Sequence, residues 1–196
     1  MTIVTECTES EVQAIIMLDK RGSSLSILPN YTPQNWWEND VFQITKAGYW
    51  VEYEVKRSIS DYRADFKKME SFAGYDAGTG YENSKHEILK SRVSELTFDP
   101  HINHPHFAGK YTRTIRTPNR FYFCVPIELM DKIEPPEYAG MIVYEMRHGR
   151  ITYRIEKTAP LRHKTKHGDK ILRPAQITGM NRYTWYFMKQ HIKGLN

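Results

Sequence analysis

Four residues around one short stretch could do chemistry together: Asp40, Glu52, Glu54 and Lys56. Two apolar-rich runs, "NDVFQIT" and "YWVEYEVKRS", flank Lys46-Ala47-Gly48, which is the pattern of two strands joined by a tight turn. Side chains two apart on a strand point to one side, so Glu54 and Lys56 share a face roughly 7 Å apart. The turn brings Asp40 alongside Glu54 at the far end of the hairpin. Two carboxylates that close repel each other unless a cation lies between them. A hard divalent ion such as Mg²⁺ takes oxygen ligands and keeps positions for water and phosphate. A neighbouring lysine can hold the attacking water or the phosphate. That is equipment for metal-assisted phosphodiester hydrolysis. The same alternation is also the ordinary signal of a half-exposed strand with a solvated polar face. The residues alone leave both readings open.

The flanking segments must position this hairpin. "TESEVQAIIMLDKRG" reads as a helix: Thr8 and Glu11 have capping-box spacing, Val12, Ile15 and Ile16 are apolar, and Gly22 stops it. "SLSILPN" is a short strand ended by Pro29-Asn30. "SISDYRADFKKMESF" is an amphipathic helix, with Ile59, Tyr62, Phe66, Met69 and Phe72 at spacings of three or four. On it Asp61 and Asp65 share one face, and Arg63 and Lys67 another; ion pairs on a solvated surface and contacts to phosphates are both open. "AGYDAGTGYEN" is a glycine-rich loop, "SKHEILKSRVSEL" a further helix, and residues 97–118 show no period. "NRFYFCVP", "YAGMIVYEM" and "RITYRIEK" read as strands, the last two joined through His148-Gly149, and "AQITGMNRYTWYFMKQHIK" as a closing helix. The order is α/β. No linker or repeat divides it, so one domain over 1–196 is expected, with an inserted loop and helix region at about 69–118.

An acid in "ENDVF", an acid-x-Lys in "EYEVK" and an amphipathic helix after it resemble the PD-(D/E)XK nuclease superfamily, whose core is α-β-β-β-α-β. The blocks "EVKRSISDYRADFKK", "NRFYFCVP" and "PPEYAGMIVY" are similar to the MmcB-like DNA-repair family and its phage-encoded relatives, as is "KTAPLRHK". The likeness covers roughly residues 8–160 without the 69–118 region. It implies a restriction-endonuclease-like fold, a mixed sheet flanked by helices. It implies that Asp40 and Glu54 ligate the metal with the backbone carbonyl of Val55, and that Lys56 orients the attacking water. Glu11 on the first helix would reach the metal through water or orient Lys56; Glu9, Glu38 and Glu52 are alternates. Asn39 stands where the motif has proline. The implied activity is Mg²⁺-dependent cleavage of DNA, with Mn²⁺ as substitute, leaving a 5′-phosphate and a 3′-hydroxyl. The second reading is a catalytically silent nuclease fold that binds DNA or protein in repair or phage–host conflict.

Composition narrows the setting. The chain has 196 residues, 40% hydrophobic and 26% charged, which fits a folded globular protein. No apolar run approaches the ~18 residues of a membrane helix, and "MTIVTECTESEVQ" lacks the pattern of a secretory signal. Two cysteines without metal spacing point to a reducing, cytoplasmic setting, and Cys124 in "RFYFCVP" reads as a buried hydrophobe. Net charge is +5, but Arg147 to Arg173 holds nine Lys/Arg against Glu156 and Asp169, a net of +7, so the rest is about −2. Such segregation suits a polyanion. Arg162, Lys164 and Lys166 in that stretch, with Arg63, Lys67 and Lys68 after the motif, are the expected phosphate contacts. A homodimer would offer two active sites for two strands. "GYDAGTGY" lacks the Gly-Lys-Ser/Thr of a phosphate-binding loop, so no nucleotide cofactor is expected. His101, His104 and His106 are split by Pro100 and Pro105 and read as a solvated loop. Of Trp36 and Trp37, one is expected in the core and the other at a rim.

Overall fold

The computed structural model describes residues 7–67, 69–71, 82–98, 106, 113–167 and 174–192. The first helix, α1 (Glu9–Lys20), starts where the capping box requires: Thr8 Oγ1 accepts from the Glu11 N–H at 3.3 Å, and Glu11 Oε2 accepts from the Thr8 N–H at 2.8 Å. Strands β1 (Ser24–Tyr31), β2 (Asn39–Thr45) and β3 (Trp50–Val55) follow as an antiparallel meander. Gly48 takes φ +84° in the β2–β3 turn, a conformation side-chain-bearing residues resist. β1 runs through Pro29 instead of ending there, because β1 is an edge strand and an edge tolerates a missing N–H.

Helix α2 (Ile59–Asp65) is capped by Ser58, whose hydroxyl accepts from the Asp61 N–H at 3.1 Å. It is shorter than the periodicity suggests. Met69–Ser71 leaves the helix as strand β4 and pairs with β5 (Glu82–Ser84). Helix α3 (Lys85–Ser91) is also short, because Glu95–Phe98 forms β6 and pairs with β7 (Arg113–Arg116). Then come β8 (Arg120–Pro126), β9 (Ala139–Arg147), β10 (Arg150–Lys157) and a long helix α4 (Pro174–His191).

The main sheet is mixed, with order β1-β2-β3-β8-β9-β10. β3, β8 and β9 are mutually parallel, and β9 turns antiparallel into β10. Parallel neighbours need a long crossover. The one from β3 to β8 carries α2, α3 and both small ribbons. The protein is thus an α/β fold with a mixed sheet flanked by helices, and α1, three strands, α2 and β8 follow the expected core order.

Each face of the sheet has its own core. Val12, Ile16 and Met17 of α1 and Met188 of α4 pack with Val41, Val51, Tyr53, Val55 and Ile142. On the other face Phe42, Ile44, Trp50, Phe121 and Phe123 pack with Ile88 and Leu89 of α3. All six β3 residues are buried, as expected of a strand covered on both sides. Trp36 and Trp37 are both buried, edge to face, so neither forms the expected rim. Cys124 is buried. Among the described residues no helix is long and apolar enough to cross a membrane.

Candidate active site

Complete burial of β3 rules out the solvated-face reading of its alternation. Glu52, Glu54 and Lys56 are 0%, 1% and 3% exposed. They share the α3 side of the sheet with Trp50, and each carboxylate is held by ion pairs. Lys85 Nζ, at the start of α3, lies 2.5 Å from Glu52 Oε1 and 2.7 Å from Glu54 Oε1. Lys56 Nζ lies 3.1 Å from Glu54 Oε2 and 2.9 Å from Asp65 Oδ1, at the end of α2. The other Asp65 oxygen meets His86 Nε2 at 2.7 Å, and His86 Nδ1 meets the Tyr138 hydroxyl at 2.7 Å. Trp36 Nε1 donates to Glu52 Oε2 at 2.8 Å.

Asp40 joins this group through strand register. Val41 pairs with Tyr53, so Asp40, one residue earlier, stands opposite Glu54. Facing antiparallel residues project to one side with Cβ atoms about 4.5–5.5 Å apart. Asp40 Oδ2 also accepts the Val55 N–H at 2.6 Å, taking a donor that β2 leaves unpaired at its end. A residue's N–H and C=O lie on the same strand edge. The Val55 carbonyl is therefore on the Asp40 side, where the sequence expectation puts it.

The electrostatics record a shortage of positive charge. Asp40, Glu52, Glu54 and Asp65 carry four carboxylates against the two ammoniums of Lys56 and Lys85. Burial, then the charge of Glu54, pushes the Asp40 carboxyl well above the ordinary range. Burial also raises Glu52 to about 7, with Lys85 opposing and Glu54 reinforcing the rise. Glu54 goes the other way: burial opposes its ionisation, but Lys85 and Lys56 hold it below its ordinary value. For Asp65 the His86 hydrogen bond and both lysines likewise outweigh burial and hold it well down. Burial disfavours the Lys56 charge, yet Glu54 and Asp65 raise its pKa above the ordinary value.

Sequence reasoning found Asp40, Glu54, Lys56 and the Val55 backbone, and the structure brings these together. Glu11 Oε2 accepts from the Thr8 N–H and hydroxyl in the α1 cap. Glu9 on the same helix is in electrostatic reach of the site: its carboxyl is raised by burial and by Asp61, with Lys56 opposing and Glu54 reinforcing. Glu38 is exposed. Asp65, Lys85 and His86 were missed as site members. The triplet Asp65-Phe66-Lys67 carries a signal for the first, but "SKHEIL" carries none for the others.

The expected phosphate contacts divide. Arg63 and Lys67 are exposed around the end of α2. Lys68 lies outside the described residues, as do His101 and His104; His106 is exposed. Arg162 is a correction. It is 5% exposed, and its guanidinium donates to Leu89 O at 2.7 Å, Ile88 O at 3.0 Å and Pro118 O at 2.5 Å. It ties α3 to the start of β8 and faces no solvent. Burial lowers its pKa to about 10. Lys164 and Lys166 are exposed, but their segment is pinned at the wrong end of the hairpin: the His167 N–H donates to Gly48 O at 3.1 Å, and Lys166 Nζ lies 5.7 Å from the Tyr49 ring centroid. At 3.3 Å per residue Gly48 is roughly 25 Å from Lys56.

Among the described residues no three His, Cys, Asp or Glu side chains are arranged to hold a metal ion. The protein side chains available at the hairpin are the two carboxylates of Asp40 and Glu54.

No family model matches the chain, and no curated protein matches it. A solved structure, a protein of unknown function from Silicibacter pomeroyi, is similar at 14% identity with a TM-score of 0.46, covering 94% of this chain and 89% of that one.

Proposed function

We propose that this chain hydrolyses phosphodiester bonds in DNA, using a divalent cation between Asp40 and Glu54. What supports the reading is the cross-strand placement of half-buried Asp40 beside buried Glu54, in a cluster whose carboxylates outnumber its ammoniums by two. Burying that imbalance is costly to a fold, and strongly perturbed carboxyls concentrate at functional sites. A doubly charged cation would cancel the excess. The donor set fits a hard ion: Asp40, Glu54, whose carboxylate has lone pairs beyond its lysine contacts, and the Val55 carbonyl. Mg²⁺ would be the ion, with Mn²⁺ as substitute; when bound it would supply Lewis acidity toward phosphate and an acidified water.

The chain's own groups have separate tasks. Lys56 stays charged at neutral pH, so it serves as a hydrogen-bond donor to a phosphate oxygen or the attacking water, not as a general base. Glu54 and Asp65 fix its ammonium from two sides. His86 and Tyr138 fix Asp65 in turn. Glu9 adds a third acid near Asp40. Arg63 and Lys67 are free to meet flanking phosphates, and in-line attack would leave a 5′-phosphate and a 3′-hydroxyl.

One observation favours a second reading, a nuclease-like fold that binds DNA or protein without turnover: both Glu54 oxygens already meet ammonium groups. The test is incubation of plasmid and labelled single strands with Mg²⁺ or Mn²⁺ against EDTA. Wild type should cut in metal alone, and Asp40→Asn, Glu54→Gln and Lys56→Met should each lose at least about 100-fold in rate. Wild type that binds DNA but cuts no substrate in either metal would leave the binding module standing.

A further inference from the structure

A cavity of about 600 Å³ opens beside the buried cluster, lined by Phe66, His86, Glu87, Lys90, Pro136, Glu137 and Tyr138. It shares His86 and Tyr138 with the ion network. The imidazole is locked on three sides: Asp65 at Nε2, Tyr138 at Nδ1, and the Phe66 ring stacked on its face at 4.2 Å. Asp65 is ionised and can only accept, so His86 Nε2 carries a proton and donates to it. One wall of the cavity is therefore a rigid aromatic platform, two residues' contact from Lys56.

We infer that this cavity takes the base of a nucleotide next to the reacting phosphate, and that bases with an exocyclic amino group are preferred. The identity of the ligand rests on the phosphodiesterase reading. Its volume lies in the usual range for small-molecule sites. Half-buried Phe66, backed by the His86 ring stacked on it, offers the aromatic surface, and base–aromatic stacking is sequence-tolerant. At the exposed mouth, which Glu87 also lines, the Glu137 carboxylate accepts N–H groups, and Lys90 suits the attached phosphate. This mixture discriminates among occupants. Two carboxylates repel a free phosphate ion, and a hydrocarbon tail or a phenyl side chain leaves them nothing to accept. A base leaves its partner to enter a cavity, so the substrate reaches it as a single strand or with a base turned out of the duplex.

Saturation-transfer NMR on the full chain in EDTA tests this without turnover. The probes are AMP, CMP, UMP, ribose 5-phosphate and toluene. Base protons of AMP and CMP should be saturated, with UMP about threefold weaker and ribose 5-phosphate and toluene silent. Phe66→Leu should weaken AMP about tenfold. The exposed double variant Lys90→Ala/Glu137→Gln, which touches no core contact, should weaken it several-fold and erase the preference over UMP. The inference is overturned if no nucleotide binds at millimolar concentration, if ribose 5-phosphate or toluene binds as tightly as AMP, or if both variants bind like wild type. Glu54→Gln should keep AMP binding while losing cleavage. Nucleotide binding without cleavage in any metal sinks the hydrolase reading alone, and cleavage without nucleotide binding sinks the cavity alone.

Discussion

Glu52 is a carboxylate that the fold holds against its own charge, and its titration should be visible in stability. Its folded value of about 7 lies above its ordinary 4.5. A carboxyl raised in this way favours the folded state only while protonated, so its contribution is full below pH ~4.5 and lost as pH rises through 7. Asp40 and Glu9 are shifted in the same direction. Thermal unfolding without divalent ions should therefore show stability falling between pH ~4.5 and ~7, by roughly 3 kcal/mol at most from Glu52. Glu52→Gln should flatten that slope; an unchanged slope would remove Glu52 as its source. Lys85→Met should be far more harmful, because it leaves Glu52 and Glu54 buried without their shared ammonium. A loss of about 3–5 kcal/mol in urea unfolding is expected. At this scale the sequence was partly legible. Asp40, Glu54 and Lys56 lie on one hairpin, where alternation and register suffice to bring them together. Asp65, Lys85 and His86 reach the same point from α2 and α3, and no local period encodes a contact between Glu54 and Lys85. On α1 the capping box holds Glu11, while Glu9, only an alternate in the sequence, lies in electrostatic reach of Asp40.

The element that organises the site is the β3-to-β8 crossover. Its two ends are strapped by Arg162, which binds the last carbonyls of α3 and the carbonyl before β8. Arg162→Met should destabilise by about 2–4 kcal/mol through unpaired buried carbonyls, and should leave the salt dependence of DNA binding unchanged. A reduced salt slope would return Arg162 to the phosphate-contact role. Gly140 in β9 is a second structural pin. A Cβ there would stand 2.5 Å from the Ala159 backbone N and from the Tyr122 ring. Gly140→Ala should cost about 1–3 kcal/mol by overpacking, read as a lower melting temperature. Strands β1, β2, β3, β8 and β9 of the main sheet were legible because each carries buried apolar residues, and β10 because its turn, His148-Gly149, follows β9 directly. Helices α2 and α3 were overextended because Met69 and Leu96 continue a helical spacing, yet their segments pair as small ribbons whose partners lie more than ten residues away.

Over the whole molecule the positive charge is spread more widely than a basic stretch suggests. Arg162 is internal, Arg63 and Lys67 flank the site, and Lys164 and Lys166 stand roughly 25 Å from Lys56 at the opposite end of the hairpin. Replacing Lys164 and Lys166 together with alanine should weaken binding to a 20-base-pair duplex and lower its salt slope by about 1–2. The same change should leave binding of a four-nucleotide strand untouched, and equal effects on both lengths would contradict this spacing. Segregation of charge along the chain was legible, but its division between core and surface was not, since a run of basic residues does not reveal which guanidinium caps a helix. The most direct measurement is Mn²⁺ binding followed by electron paramagnetic resonance on wild type and Asp40→Asn without DNA. Wild type should bind one ion per chain, more tightly as pH rises and Asp40 gives up its proton, and Asp40→Asn should lose that ion. Absence of binding at millimolar Mn²⁺, or equal binding by both proteins, would contradict a cation held between Asp40 and Glu54.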